Sequence, residues 1–411
     1  MVDPEFQSPL THGWAISYQR EVWNKTMLEV AYVGRRAQHL FGAYNVDQAE
    51  YANNGFLAAF NAAKSGGESV LLDRLLAPDT RRLSGESGAA MVRRLFASNL
   101  QLNGVASLAA ALGQRIQGGK SLPELAGLGP YFFFAYPQFL STAGVVVIDS
   151  NDYSRYHALE LKLERRYGNG VGYLAGYTLA RSKDTRSYDP AFTVVSTGNL
   201  QSASSTPFDI HDRSLNYAVS DFDRTQVLQG QLVWELPFGN GRRFAGSASP
   251  AVDAIIGGWQ FAGQMVVETG RPLTIYSGNN TFTNVVQTPA NCAGCSGSEG
   301  VVHDEGGVVW YLNPEERAKF SNPDAGRFSN VGRNFFRGPM FSNLNVTVSK
   351  RTRIVGRQAL EVRVDATNVL NRPSFGIPAA AAVTTNSTFG RIFNSVLSSA
   401  RQVQLGVKYF F

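Results

Sequence analysis

The chain has 411 residues, a formal net charge of +6, 44% hydrophobic residues and only 17% charged ones. That balance excludes a disordered chain, which is charge-rich and apolar-poor, and no run of about 18 apolar residues is present to make a transmembrane helix. The 41 glycines, 26 phenylalanines and 16 tyrosines favour strands and turns. The opening MVDPEFQSPL has neither the basic nor the apolar region of a secretory signal. The expectation is therefore either a cytosolic protein or a sequence that lacks its true N-terminus.

In chain order, the dominant signal is alternation with a period of two. Trp14, Ile16 and Tyr18 alternate with small or polar residues, as do Leu28, Val30 and Tyr32. Leu159, Leu161 and Leu163 alternate with Glu160, Lys162 and Glu164, and Val171 through Leu179 follows after a tight Tyr-Gly-Asn-Gly turn. The pattern returns at Leu228–Leu236, Trp259–Val267, Leu344–Val348, Leu360–Val364 and Val403–Phe411. These segments predict about nine strands of about ten residues each, longer than the five or six usual in a soluble sandwich. Full charges occupy mid-strand positions, as in Glu361, Arg363 and Asp365. A soluble sheet turns such a face to water, whereas a membrane barrel turns it to a polar lumen and its apolar face to lipid.

The connections favour the barrel. They alternate: short at 21–27, very long at 36–154, tight at 167–170, long at 181–224, moderate at 237–256, long at 270–340, short at 350–357 and long at 371–400. Outer-membrane barrels sort their loops in this way, with short periplasmic turns and long extracellular loops. Trp14, Trp23, Trp234, Trp259, Tyr18, Tyr32 and Tyr409 fall at or near predicted strand ends, where interfacial rings bury a face and keep a polar tip wet. Within the longest connection, Phe56–Lys64 and Thr80–Leu112 read as helical, so residues 37–153 are expected to form a partly helical extracellular loop and not a second domain.

Basic residues gather in Arg165-Arg166, Arg242-Arg243 and Lys350-Arg351-Thr352-Arg353, each beside a turn. A nucleic-acid site needs its charge on one face; solvated turns fit better, with phosphate contact at a membrane surface an intermediate reading. The two cysteines, Cys292 and Cys295, lie in a Gly/Ser/Asn-rich stretch with only His303 nearby. A zinc site wants two more ligands, so a local loop disulfide in an oxidising compartment is expected.

The chain closes on Val403, Leu405, Val407, Tyr409 and Phe411, an alternation that ends in a terminal aromatic. It is similar to the assembly signal of bacterial outer-membrane barrels. If the last strand ends in the periplasm, the first visible strand begins outside. Single-chain barrels carry an even strand number, so a count of nine leads to the expectation of a fragment.

A set of segments in order along the chain resembles the C-terminal β-barrel portion of the Oar-like TonB-dependent receptors. They are Tyr18-Gln19-Arg20-Glu21, Ala31-Tyr32-Val33-Gly34, Tyr136-Pro137-Gln138-Phe139, Tyr156-His157-Ala158-Leu159, Trp234-Glu235-Leu236-Pro237-Phe238-Gly239 and Gly257-Gly258-Trp259-Gln260. Gly332-Arg333-Asn334 with Arg337-Gly338-Pro339, Asn368-Val369-Leu370-Asn371 and Leu405-Gly406-Val407-Lys408-Tyr409 complete the set. The resemblance implies one partial barrel domain over 1–411, without the family's TonB box, plug or carboxypeptidase-regulatory-like domain. It also implies placement in the outer membrane, contact with its lipid and with the barrel-assembly machinery, an unidentified solute ligand, and coupling to TonB only through the absent N-terminal part.

Catalytic motifs fail on inspection. Gly170-Val171-Gly172 begins a dinucleotide-like glycine pattern, but strand-period residues follow it where a helix is required. No Walker loop, His-Glu-x-x-His or Gly-x-Ser-x-Gly occurs, and the five histidines do not assemble a nucleophile, base and orienter. Asp149, Asp152, Asp184, Asp189 and Asp209 are expected to be solvated loop carboxylates, with cation binding the alternative. Glu361, Arg363 and Asp365 are candidates for the lumen-facing side. The expectation is accordingly an all-β antiparallel transmembrane barrel portion that is not an enzyme, with no catalytic, cofactor or metal residue and no nucleic-acid partner. Its expected role is uptake or binding of a bulky solute; a passive porin-like or surface structural barrel is the alternative, and a secreted β-enzyme a third class.

Overall fold

The computed structural model describes residues 1–23, 25–142, 145–187, 206–376, 388–392 and 396–411. Among them, nine long strands form one antiparallel sheet in simple chain order. They are β1 (Leu10–Trp23), β2 (Thr26–Asn45), β3 (Val146–Gly168), β4 (Val171–Asp184), β5 (Gln226–Glu235), β6 (Trp259–Glu268), β7 (Phe341–Arg353), β8 (Ala359–Thr367) and β9 (Gln402–Phe410). Each predicted alternating segment falls on one of them, with Leu236 and Phe411 one residue past the ends of β5 and β9. β1 and β9 form the two edges, and a short segment, Ala218–Val219, adds to the end of β4. No described helix is long and apolar enough to cross a membrane.

Register explains why the alternation is so regular. One cross-strand row runs Tyr18, Val30, Leu161, Tyr177, Leu228, Val267. Another runs Phe261, Val348, Val364, Leu405. The intervening rows carry the opposite chemistry: Gln19, Glu29, Lys162, Gly176, Gln229 in one, and Thr347, Asp365, Gln404 in another. Successive side chains in a strand point to opposite faces, so the sheet has one apolar face and one polar face across its width. The apolar face is left open: Leu405 is 75% exposed and Val407 72%.

The connections sort as expected. Short or moderate links, around 24–25, at 169–170, 236–258 and 354–358, stand on one rim, and links 46–145, 185–225, 269–340 and 368–401 on the other. The β3–β4 turn shows the local cause, because Asn169 and Gly170 both take positive φ (53° and 79°), the pair that a two-residue hairpin of matching twist requires.

Three expectations need correction. β2 and β3 run 20 and 23 residues, so the long connection is 46–145 and not 37–153. About ten residues cross a bilayer, and the surplus extends past the long-loop rim, where no apolar face is needed and the alternation fades. Trp23, Trp234, Trp259 and Tyr409 do stand at or beside strand ends, whereas Trp14 and Tyr18 lie within β1, which begins at Leu10 and ends at Trp23, and Tyr32 lies within the long β2. The 46–145 connection also holds more than loose helices. Its α1 (Phe56–Lys64), α2 (Val70–Leu76), α3 (Gly88–Leu95), α4 (Ala97–Gln101), α5 (Val105–Gly113) and α6 (Leu122–Leu125) pack around a core of their own that includes Phe56, Phe60, Leu75, Met91, Leu108 and Phe133. Thr80–Ser87 is not helical, and Ser87 caps α3 by accepting a hydrogen bond from the Ala90 amide at 3.1 Å.

Val362 lies on the apolar face between Lys350 and Val407. One apolar step further from the turn rim, Val364 pairs Val348 and Leu405; Val364→Arg is expected to cost about 2–4 kcal/mol near mid-bilayer, with Gln404→Arg on the polar face close to neutral. Denaturant unfolding in lipid vesicles reads both, and equal stabilities for the two variants would contradict the facing.

Candidate functional site: the long-loop rim

Buried charges join the 185–225 and 269–340 connections to the strand ends at one rim. At the ends of β3 and β4, Asp149, Asp152 and Asp184 are all buried, and each is met by an arginine from a connection. Arg186 reaches Asp152 at 2.8 Å and donates to the Ala43 carbonyl at 2.6 Å, tying β2, β3 and the start of the 185–225 connection together. Arg213 reaches Asp149 at 2.5 Å and lies 4.9 Å from the centre of the Tyr44 ring.

The centre of the arrangement is Arg333, 2% exposed. Guanidinium carries five N–H donors, and all five are used. Nε donates to the Asn216 carbonyl at 3.1 Å. One terminal nitrogen donates to Ser187 Oγ at 3.1 Å and Asp221 Oδ1 at 3.2 Å, the other to the carbonyl and Oδ1 of Asp184 at 2.7 and 2.5 Å. The neighbouring Asn334 takes positive φ (56°) and donates to the Val219 carbonyl and Asp221 Oδ1 at 2.7 and 2.6 Å. Arg337 bonds Asp223 at 2.6 Å. Here Gly270 has no room for a side chain, since a Cβ would lie 1.7 Å from the Gly338 carbonyl oxygen.

Asp149, Asp152 and Asp184 are thus buried and taken by arginines instead of being solvated. Asp209 accepts the His211 amide at 2.8 Å, and Asp189 lies outside the described residues. Among those residues no group of His, Cys, Asp and Glu is arranged to hold a metal. Sequence reading noted Arg333 and Arg337 only within a family resemblance; their weight comes from partners more than a hundred residues away.

The helical unit is fastened to the same assembly. Tyr51 Oη donates to the Phe282 carbonyl at 2.7 Å, the Ala49 amide to Asn284 at 2.8 Å, and Asn103 to the Pro323 carbonyl at 2.8 Å. Burial pushes the Tyr51 hydroxyl pKa up. Inside the unit, burial works to raise the Asp79 pKa, but hydrogen bonds from Arg81 and Arg115 outweigh it and hold the carboxyl down at about 2. A surface cleft of about 700 Å³ opens between Gln114, Ser121, Glu124, Tyr131 and Gln138.

The remaining predicted residues lie elsewhere. Cys292 and Cys295 are bonded to each other, Cα atoms 5.7 Å apart, in the 269–340 connection. Glu361, Arg363 and Asp365 share the polar face. Arg363 pairs with Asp365 on its own strand at 2.7 Å, and Thr347 of β7 donates to Asp365 at 2.6 Å. Val403, Leu405, Val407 and Tyr409 line the apolar face of β9, followed by an exposed Phe411.

A family model described as outer membrane beta barrel domain matches residues 1–404. No curated protein sequence matches the chain. Among solved structures, the outer membrane transporter YddB from Escherichia coli is 10% identical, with a TM-score of 0.37, over 99% of this chain and 33% of that one. The FrpB iron transporter from Neisseria meningitidis is 10% identical, with a TM-score of 0.36, over 100% of this chain and 32% of that one. The chain therefore spans about a third of the length of these transporters.

Asp184→Ala leaves the buried Arg333 charge without its main partner, a loss of about 3–5 kcal/mol. The expected result is rapid protease cleavage within 269–340 while the sheet stays folded. Cleavage at the wild-type rate would show that the ion pair does not hold the rim.

Proposed function

We infer that this chain, which belongs to the outer membrane beta barrel domain family, forms part of the wall of a TonB-dependent receptor of the Oar-like kind and binds a bulky solute for uptake. It is an antiparallel transmembrane sheet located in the cell outer membrane. With the short turns in the periplasm, as in outer-membrane barrels generally, the fastened loops face the outside.

The observation that supports a receptor is the fastened rim. Four long connections stand on one side; Arg333, Arg186 and Arg213 fasten the 185–225 and 269–340 connections to each other and to the strand ends, and hydrogen bonds from Ala49, Tyr51 and Asn103 add the helical unit. A passive pore has no need to hold so much ordered chain over its mouth. Below that surface Glu361, Arg363 and Asp365 offer a charged lining for a solute path. Energy would come from the TonB complex acting through a plug of the full-length receptor, and the ligand's identity is left to the loops. The second reading is a passive porin-like or surface structural barrel, favoured by the continuous polar face.

Planar-bilayer recording on the native protein separates the two. A receptor is expected to show no steady conductance, and its solute uptake in cells is expected to vanish when TonB is removed. Steady ohmic current together with TonB-independent uptake would establish the passive reading.

The alternation Val403, Leu405, Val407, Tyr409, Phe411 is proposed as the signal read by the barrel-assembly machinery. Deleting Phe411 is expected to lower the amount of folded, outer-membrane-inserted protein severalfold. Unchanged insertion would remove the signal from the account.

A further inference from the structure

The basic groups at the turn rim play no part in the loop surface. At that rim the 236–258 connection carries α7 (Pro250–Ile256), a helix none of whose residues is buried. Two side chains hold its C-terminal end. Trp259 Nε1 donates to the Ile255 carbonyl at 2.9 Å, and Lys350 Nζ donates to the Ile255 and Gly257 carbonyls at 3.1 and 2.5 Å. Trp259 and Lys350 are direct register partners, and Lys350 is in turn opposite Val362. Both therefore belong to the apolar face, and α7 is tied to the lipid side of the wall instead of the polar side.

What α7 and its surroundings present is apolar and basic. Ile255 is 71% exposed, and Val252, Phe238 and Phe244 are exposed as well; the two phenylalanine rings lie 5.4 Å apart. In the adjacent turn, 354–358, Ile354 and Val355 stand exposed. Arg242, Arg243 and Arg357 are exposed between these side chains. Arg243 lies over Phe244 at 5.5 Å, and Arg242 is shared with Glu235 at 2.9 Å. The only carboxylate in either turn is Asp253, which is occupied by the Asn240 amide at 2.5 Å.

We propose that the 236–258 and 354–358 turns form a hook seated in the headgroup layer of the adjoining phospholipid leaflet. Val252, Ile255 and the paired phenylalanines enter the acyl boundary, and Arg242, Arg243 and Arg357 meet lipid phosphates. The occupant is an anionic phospholipid surface. Two observations select it: the hook is continuous with the lipid-facing band of the wall, and its three exposed arginines outnumber Asp253 within it and Glu235 beside it. Amphipathic segments with this division bind at the interface by apolar burial together with attraction to anionic headgroups. With the turns in the periplasm, the leaflet is the inner one. The inference rests on the membrane placement of the apolar face.

The test uses the full chain inserted in vesicles of equal parts phosphatidylglycerol and phosphatidylcholine, and in phosphatidylcholine alone. An environment-sensitive fluorophore is attached through Ile255→Cys, through Val252→Cys as a second position, and through Leu405→Cys as a report on the wall itself. Spin-labelled lipid and aqueous iodide serve as quenchers. Lipid quenching is expected at all three positions in the anionic vesicles. Adding Arg242→Glu and Arg243→Glu is expected to reduce the docked population of the hook about tenfold and to leave the Leu405→Cys signal unchanged. If Ile255→Cys and Val252→Cys respond only to iodide while Leu405→Cys stays lipid-quenched, the hook is overturned, the wall stands, and the patch is open to a soluble partner. If Leu405→Cys is not lipid-quenched either, the membrane placement fails and the hook fails with it. Equal docking in both vesicle types, unaffected by the glutamates, would overturn the recognition of anionic lipid.

Discussion

A buried guanidinium has to satisfy all five of its donors or bear a large desolvation cost. At Arg333 that requirement is met by the end of β4, by Ser187 just beyond it, by the return of the 185–225 connection at Asn216 and Asp221, and by the 269–340 connection that carries the arginine itself. No subset of these segments can supply the set. The loops must reach their places together, and the rim acquires one arrangement in place of many. Arg186 and Arg213 meet Asp152 and Asp149 one strand over but with partial donor sets, since one terminal nitrogen of Arg186 and Nε of Arg213 make no hydrogen bond among the described residues. The ordered surface over the mouth depends on this constraint more than on the apolar clusters beneath it, because oily contacts alone tolerate repacking whereas a directional donor set does not.

The sheet obeys a different rule. Its stability against lipid needs only that alternate residues be apolar, and for that reason it was legible in the sequence. All nine strands were readable where one face meets hydrocarbon, from Ile16 in β1 to Val407 in β9. Legibility stopped where that demand stops. The upper parts of β2 and β3, around Gln38–Tyr44 and Val147–Asp152, pair without a lipid face and so show no regular alternation in the sequence. The site was far less readable. Asp149, Asp152 and Asp184 looked like ordinary surface carboxylates because nothing nearby in sequence announces a partner. Arg333 lies 149 residues from Asp184, and Asp209, named alongside them, proved to be an ordinary turn residue. Pattern reports environment over a few residues, whereas a charge lattice is assembled from the whole topology.

The two rims have opposite designs. One gathers long segments around interior charges and buries them. The other keeps its chain short and leaves Arg243, Phe244, Ile255 and Val355 outside. In water the second arrangement would be an aggregation hazard; beside a bilayer it is an anchor. The same residue types, arginine and large apolar side chains, serve cohesion at one end and adhesion at the other. The difference lies in whether aspartates are supplied to receive the arginines.

The helical unit between β2 and β3 has its own packed interior, and the two strands that bracket it are paired with each other along nearly their full length. Its ends leave and re-enter the sheet as neighbours. Residues 46–145 are thereby placed like a cassette: changes within them leave every strand register untouched, so long as Ala49, Tyr51 and Asn103 keep their bonds to the 269–340 connection. Rewriting this one insert therefore changes the surface over the long-loop rim while the β2–β3 pairing beneath it stays as it is.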